Sequence, residues 1–180
     1  MFWELTMNKD LKYVPLFDEQ KIASRIRELG AQISRDYGGE SLVVVGVMKG
    51  AFVFVADLVR NISCPLKVEF IGVSSYSGTK STGTVRLTYD LTADIRDKHV
   101  LLVEDIIDTG YTIDYLLETL KVRGPKSLKV AAFLSKPEAH KMHTTIDYCG
   151  FEISKEFVIG YGLDLDQYYR NLPYVAQVQT

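Results

Sequence analysis

With 180 residues, 47% of them hydrophobic and 24% charged, the chain has the composition of a folded protein with a substantial core, which excludes a disordered or fibrous polypeptide. The 21 basic residues against 23 acidic ones leave a formal charge of -2, so nothing draws the chain as a whole to phosphate backbones or anionic lipid, and any anion it binds must be held locally. Cys64 and Cys149 lie far apart and outside any CxxC spacing, which excludes a zinc-ligand pattern and a disulfide framework and fits a reducing cytoplasm.

The opening MFWELTMNKDLK has no basic region followed by an apolar run, so no secretory signal is expected. Asp18 is placed to cap a helix running to about Tyr37, with Ile22, Ile26, Leu29 and Ile33 along one face. Leu42 to Met48 is a continuous β-branched run, the pattern of a parallel strand covered on both faces. A second helix is expected from about Ala51 to Asn61. The whole tract from Leu42 to Val59 approaches membrane-spanning length, but Lys49, Gly50 and Asp57 interrupt it, so it reads as strand, turn and helix. Leu66 to Val73 reads as a strand, SSYSGTKSTG at 74–83 as a mobile loop, and Thr84 to Tyr89 as another strand. His99 to Val103 is a buried strand, Thr112 to about Arg123 a helix stopped by Gly124-Pro125, and Ser127 to Leu134 a further strand. Beyond residue 137 the chain offers short aromatic strands, expected to cap a ligand crevice.

Alternating strands and helices imply right-handed crossovers, hence an α/β fold with a mostly parallel central sheet flanked by helices. We expect one domain over residues 1–180, with a core at about 38–137 and a small hood formed by about 1–17 and 138–180.

The chemistry is concentrated in VLLVEDIIDTGYT at 100–112. Ligands of an open parallel sheet bind at the carboxyl ends of its strands, where the loop into the next helix offers free backbone N–H groups. Asp108, Thr109, Gly110, Tyr111 and Thr112 fall in that place and read as a phosphate cradle. Gly110 allows close backbone approach, and Thr109 and Thr112 add hydroxyl donors. Glu104 and Asp105 accept hydrogen bonds when ionised and suit the two hydroxyls of a ribose, directly or through a divalent cation. Two acids at the end of a buried strand carry a desolvation cost that helix capping does not offset. Neither G-x-x-x-x-G-K-[ST] nor G-x-G-x-x-G occurs.

VLLVEDIIDTGYT resembles the phosphoribosyl pyrophosphate (PRPP) motif of type I phosphoribosyltransferases, and VEDIIDTG in particular resembles the hypoxanthine-guanine branch. The likeness extends over about residues 10–178. In GVMKGAF it implies Lys49 and Gly50 beside the pyrophosphate, with a cis peptide between Met48 and Lys49. In VAAFLSKPEAH it implies that Lys136 donates to O6 of a purine, which favours 6-oxopurines over adenine. In EFVIGYGLD it implies that Phe157 stacks on the base, Val158 binds its edge through the backbone, and Asp164 helps hold a second magnesium ion. Arg170 in LDQYYRNLPY matches an arginine that binds pyrophosphate as a planar fork. Ser75 and Tyr76 match the serine and tyrosine of a flexible lid. Tyr111 departs from the family at a variable position, and 137–150 match loosely.

The resemblance implies purine salvage: transfer of the phosphoribosyl group from PRPP to N9 of hypoxanthine, and also guanine, with release of pyrophosphate. Asp108 would act as general base, and Glu104, Asp105 and Asp164 would hold Mg2+, partly through water. The alternatives are a xanthine- or guanine-preferring transferase and a PRPP-sensing RNA-binding regulator of the same fold. No nucleic-acid or membrane partner is expected, the location is cytoplasmic, and the chain is read as a homo-oligomer, dimer or tetramer.

Overall fold

The computed structural model describes residues 11–75, 85–143 and 145–179. Nine strands are seen among them: β1 Tyr13–Phe17, β2 Leu42–Met48, β3 Leu66–Ser75, β4 Val85–Tyr89, β5 His99–Ile107, β6 Ser127–Ser135, β7 Tyr148–Glu152, β8 Val158–Ile159 and β9 Val175–Val178. The helices are α1 Glu19–Tyr37, α2 Phe52–Val59 and α3 Tyr111–Lys121, with a short 3-10 turn at Pro137–Ala139. Asp18 accepts from the Lys21 N–H at 2.8 Å and starts α1, and Gly38 ends it in the left-handed conformation at φ 53°.

The main sheet has the order β4-β3-β2-β5-β6-β7 and is parallel except at β4, which pairs antiparallel with β3. Its burial follows the period of two. Leu42, Val44, Leu101 and Val103 face a cluster with Ile22, Ile26, Leu29 and Ile33 of α1 and Phe54 and Leu58 of α2. Val43, Val45, Val47, Val100 and Leu102 face Ile113, Leu116 and Leu120 of α3. Helices therefore cover both faces, which is why β2 and β5 show no polar alternation.

From β2 the chain proceeds through α2 to β3 on one side, while β5 proceeds through α3 to β6 on the other. The carboxyl ends of β2 and β5 thus border the point where the winding reverses, the place at which such sheets open a crevice. A second sheet, β1-β9-β8, packs Ile159, Tyr169 and Ala176 with Leu11, Tyr13, Leu172 and Tyr174.

Three differences from the sequence reading have physical reasons. β5 runs on through Glu104 and Asp105 to Ile107 because its pairing with β6 continues to the rung Ile107–Ser135, so the acidic pair lies within a strand. β1 was not anticipated: Pro15 weakens its strand pattern, and its stability comes from pairing with β9 more than 150 residues later in sequence. β7 lies inside the range assigned to the hood but pairs parallel with β6, so Tyr148–Glu152 belongs to the main sheet. No helix among the described residues is long and apolar enough to cross a membrane.

Candidate active site

Gly46 of β2 pairs with Val103 of β5, so the turn after β2 and the acids of β5 leave the sheet side by side. The Met48–Lys49 peptide is cis, as the sequence comparison implied. Gly50 lies directly against the Asp105 carboxylate, and a Cβ at position 50 would overlap Asp105 Oδ2. Close approach also requires a glycine at Gly162, where a Cβ would overlap the carbonyl oxygen of Gly50.

Among the described residues Glu104 is one of two polar residues in the buried core, and its Oε2 has no hydrogen-bond partner there. Burial, and then the neighbouring Asp105 charge, hold the Glu104 carboxyl well above its ordinary range. Burial also raises Asp105, against hydrogen bonds from the Glu104 side chain and from backbone N–H groups and, more weakly, the Arg170 charge. An orphaned buried carboxylate oxygen beside a second carboxylate is a hard-oxygen donor pair suited to ribose hydroxyls or to Mg2+, which takes one or two carboxylates and completes its shell with substrate oxygens and water. Among the described residues no three acidic, histidine or cysteine side chains converge as a metal cluster, so Asp164 does not complete a three-carboxylate site with this pair.

The cradle follows at the end of β5. Gly110 caps α3 at φ 87°, with the Asp114 N–H donating to its carbonyl at 3.0 Å. Glu104, Asp108, Thr109, Gly110 and Thr112 line a cavity of about 90 Å³ at the start of α3, where the helix dipole favours an anion. Tyr111, where the chain departs from the family, does not line this cavity and is 42% exposed.

The loop after β6 closes on the cradle. The rung Ile107–Ser135 makes Asp108 and Lys136 neighbours, and the Lys136 ammonium lies 3.0 Å from Asp108 Oδ2. Lys136 N–H donates to the Ile107 carbonyl at 2.9 Å, and Lys141 N–H to the Thr109 carbonyl at 3.0 Å. Ser135, fully buried, shares a hydrogen bond of 3.2 Å with His140 Nε2 and steadies the same loop.

Arg170 donates from Nη1 to the Gly162 carbonyl at 2.7 Å and pairs through Nη2 with Asp164 at 2.6 Å. The Gln167 side-chain oxygen lies 3.3 Å from the Lys49 ammonium and 3.4 Å from Arg170 Nη2, so one acceptor bridges both cations expected at pyrophosphate. Phe157 is exposed at the entry to β8, and the buried Val158 pairs with Gln177 of β9. Ser75 ends β3 opposite Val85. Tyr76 and the rest of the expected lid at 76–84 lie outside the described residues.

Sequence reasoning missed Gly162, Ser135, His140 and Gln167. The Gly-Tyr-Gly within EFVIGYGLD could have pointed to Gly162. Nothing in the sequence marks Gln167, whose role comes from a loop in which Asp166, Gln167 and Tyr169 all take positive φ.

The profile of the family described as "Phosphoribosyl transferase domain" matches residues 14–166. The chain is 46% identical over 167 residues to the hypoxanthine phosphoribosyltransferase of Haemophilus influenzae, covering 91% of this chain and 93% of that protein. It is 47% identical over 174 residues to the hypoxanthine-guanine phosphoribosyltransferase of Mycobacterium avium, covering 93% and 85%. Among solved structures, the hypoxanthine-guanine phosphoribosyltransferase of Bacillus anthracis, with HEPES in its active site, superposes with a TM-score of 0.90 at 43% identity, covering 94% of this chain and 100% of that one.

Proposed function

This chain belongs to the phosphoribosyltransferase family, and on that premise we propose that it is a purine-salvage enzyme transferring the phosphoribosyl group from PRPP to hypoxanthine and guanine. The observation that carries the reading is the juxtaposition, at the reversal point of the sheet, of the buried Glu104 and half-buried Asp105, the cradle 108–112 and the Lys136–Asp108 contact. Neither a xanthine-preferring transferase nor an RNA-binding regulator draws support from the relatives described above.

In the reaction the bond between C1′ and the pyrophosphate oxygen breaks and the bond from C1′ to N9 forms, through a state in which the ribose carries positive charge. Thr109, Gly110, Tyr111 and Thr112 hold the 5′-phosphate through backbone N–H groups and hydroxyls. Glu104 and Asp105 hold the ribose hydroxyls and place negative charge beside the developing cation. Lys49, the Gly50 backbone and Arg170 receive the departing pyrophosphate, Arg170 leaving Asp164 and Gln167 to do so. Lys136 donates to O6 while Asp108 accepts the proton from N7, a division of labour that 3.0 Å between them permits. Phe157 stacks on the base and the Val158 backbone meets its edge. Glu104 and Asp105 would hold one Mg2+ and Asp164 would help hold a second, partly through water, and the ions would supply charge neutralisation for the leaving group.

A homo-oligomer belongs to the same reading, supported by Met48 and Phe52, 39% and 42% exposed next to the Lys49–Gly50 turn. So does a hood over the crevice, built on the second sheet. A cytoplasmic location agrees with Cys64 and Cys149 as free thiols.

The test is a magnesium-dependent assay with PRPP and, separately, hypoxanthine, guanine, xanthine and adenine, with light scattering for subunit number. Turnover with the first two and not with adenine is expected. PRPP binding without turnover of any base would overturn the enzyme reading.

A further inference from the structure

Tyr161 holds a full side chain at φ 51° between Gly160 at 92° and Gly162 at 97°, in a region that L residues with a Cβ rarely adopt. A third glycine would sit there at less backbone cost, so the side chain has a use. The ring is 4% exposed and packs on Phe133 with centroids 4.7 Å apart. Its hydroxyl donates to Asp57 Oδ2 of α2 at 2.5 Å, and Asp57 is also paired with Arg60. Burial, and then the Asp57 carboxylate, push the phenol far above its ordinary value, so it remains a donor throughout the working pH range.

The residue that follows lies between two parts of the site. The Gly162 carbonyl accepts from Arg170 Nη1 at 2.7 Å, and its N–H donates to the Arg170 carbonyl at 2.9 Å. Gly162 also rests on the Gly50 carbonyl with no room for a Cβ, and Gly50 rests on Asp105 in the same way. On the other side of the tether, α2 begins at Phe52, two residues after Gly50, so fixing α2 fixes the turn that precedes it.

We propose that Tyr161 and Asp57 form a positioning pair that clamps the Gly160–Gly162 strap onto the Lys49–Gly50 turn and thereby sets Gly50 and the Arg170 guanidinium for the pyrophosphate end of the donor substrate. This rests on the reading of Lys49 and Arg170 as pyrophosphate-binding residues. Neither residue of the pair is among those assigned to a substrate above. Its loss therefore acts on the affinity for PRPP and for pyrophosphate together and spares the purine subsite, which is built from β6 and the entry to β8.

The experiment compares wild type, Tyr161→Phe, Asp57→Ala, Asp57→Asn and Lys49→Ala by KM for PRPP, KM for hypoxanthine, inhibition by magnesium pyrophosphate and Tm. Tyr161→Phe keeps the ring, and Asp57→Ala tests the same bond from the other side should the first variant prove unstable. Both are expected to weaken PRPP and pyrophosphate in parallel by about tenfold, the size of one lost hydrogen bond to a charged acceptor, with KM for hypoxanthine within twofold. Asp57→Asn, which keeps an acceptor oxygen, restores most of the wild-type value. A lowered Tm with both pyrophosphate-side constants unchanged, or an equal rise in both KM values, would overturn the positioning role while Lys49→Ala still weakens pyrophosphate. If Lys49→Ala also leaves pyrophosphate inhibition unchanged, the pyrophosphate reading fails and the inference falls with it.

Discussion

Asp108 and Lys136 stand 3.0 Å apart because each is the first residue beyond the same rung of the parallel sheet, Ile107–Ser135. Half of the Asp108 side chain is exposed toward the crevice, whereas the Lys136 side chain is largely covered. On the function proposed above, the pair would present one acceptor and one donor to the N7–H and O6 edge of a 6-oxopurine.

For Asp108→Ala we expect kcat to fall by about 10²- to 10⁴-fold, the range associated with a positioned proton acceptor, while PRPP affinity stays within about threefold. Single-turnover kinetics with PRPP binding measured separately checks this. Equal loss of binding and turnover would make Asp108 structural.

Lys136→Gln should lower kcat/KM for hypoxanthine by about 10- to 100-fold through loss of a charged donor to O6. It should also narrow the discrimination against adenine. An unchanged ratio between the two bases would remove Lys136 from base selection.

The two acids of β5 make stability depend on pH in an unusual direction. Burial raises both carboxyls, Glu104 well above its ordinary 4.5 and Asp105 above 3.8, so the folded chain binds these protons more tightly than the unfolded chain does. Stability from this source is full at pH values below the ordinary carboxyl range and is lost as pH rises from there through the raised native values. Thermal melts of the magnesium-free protein across a pH series should show this decline. Glu104→Gln should flatten it and abolish transfer; a variant with the wild-type slope would assign the pH dependence elsewhere.

Two glycine substitutions separate crowding from backbone strain. Gly50→Ala drives a methyl group into the Asp105 carboxylate and should cost about 1–3 kcal/mol of stability along with PRPP affinity. Gly39→Ala, at φ 89° with no atom within 4 Å of the new Cβ, meets backbone strain alone and should leave kinetics untouched. Equal PRPP affinity in the two variants would contradict the tight packing of the turn on Asp105.

Asp18→Ala removes the cap on α1 and should cost about 1 kcal/mol, a lowering of Tm by roughly 2–4 °C for a chain of this size. Steady-state constants should not change, because α1 supplies none of the site residues. A kinetic effect would show that α1 transmits to the crevice.

What the sequence determined by itself was the part of the molecule written in contiguous windows. The one-sided repeat of Ile22, Ile26, Leu29 and Ile33, the unbroken apolar runs of β2 and β5, and the order acid, acid, cradle, helix at 104–112 each reflect a local period or a local turn, and each is present in the fold. Tertiary structure alone decided the rest. The register of β5 on β6 set Asp108 against Lys136 across 28 positions; the Gly162–Gly50–Asp105 stack required three segments to meet at contact distance; β1 became a strand only by finding β9. Such relationships depend on rung alignment and close packing between segments far apart in the chain. A one-residue slip would change every one of them without altering any local pattern.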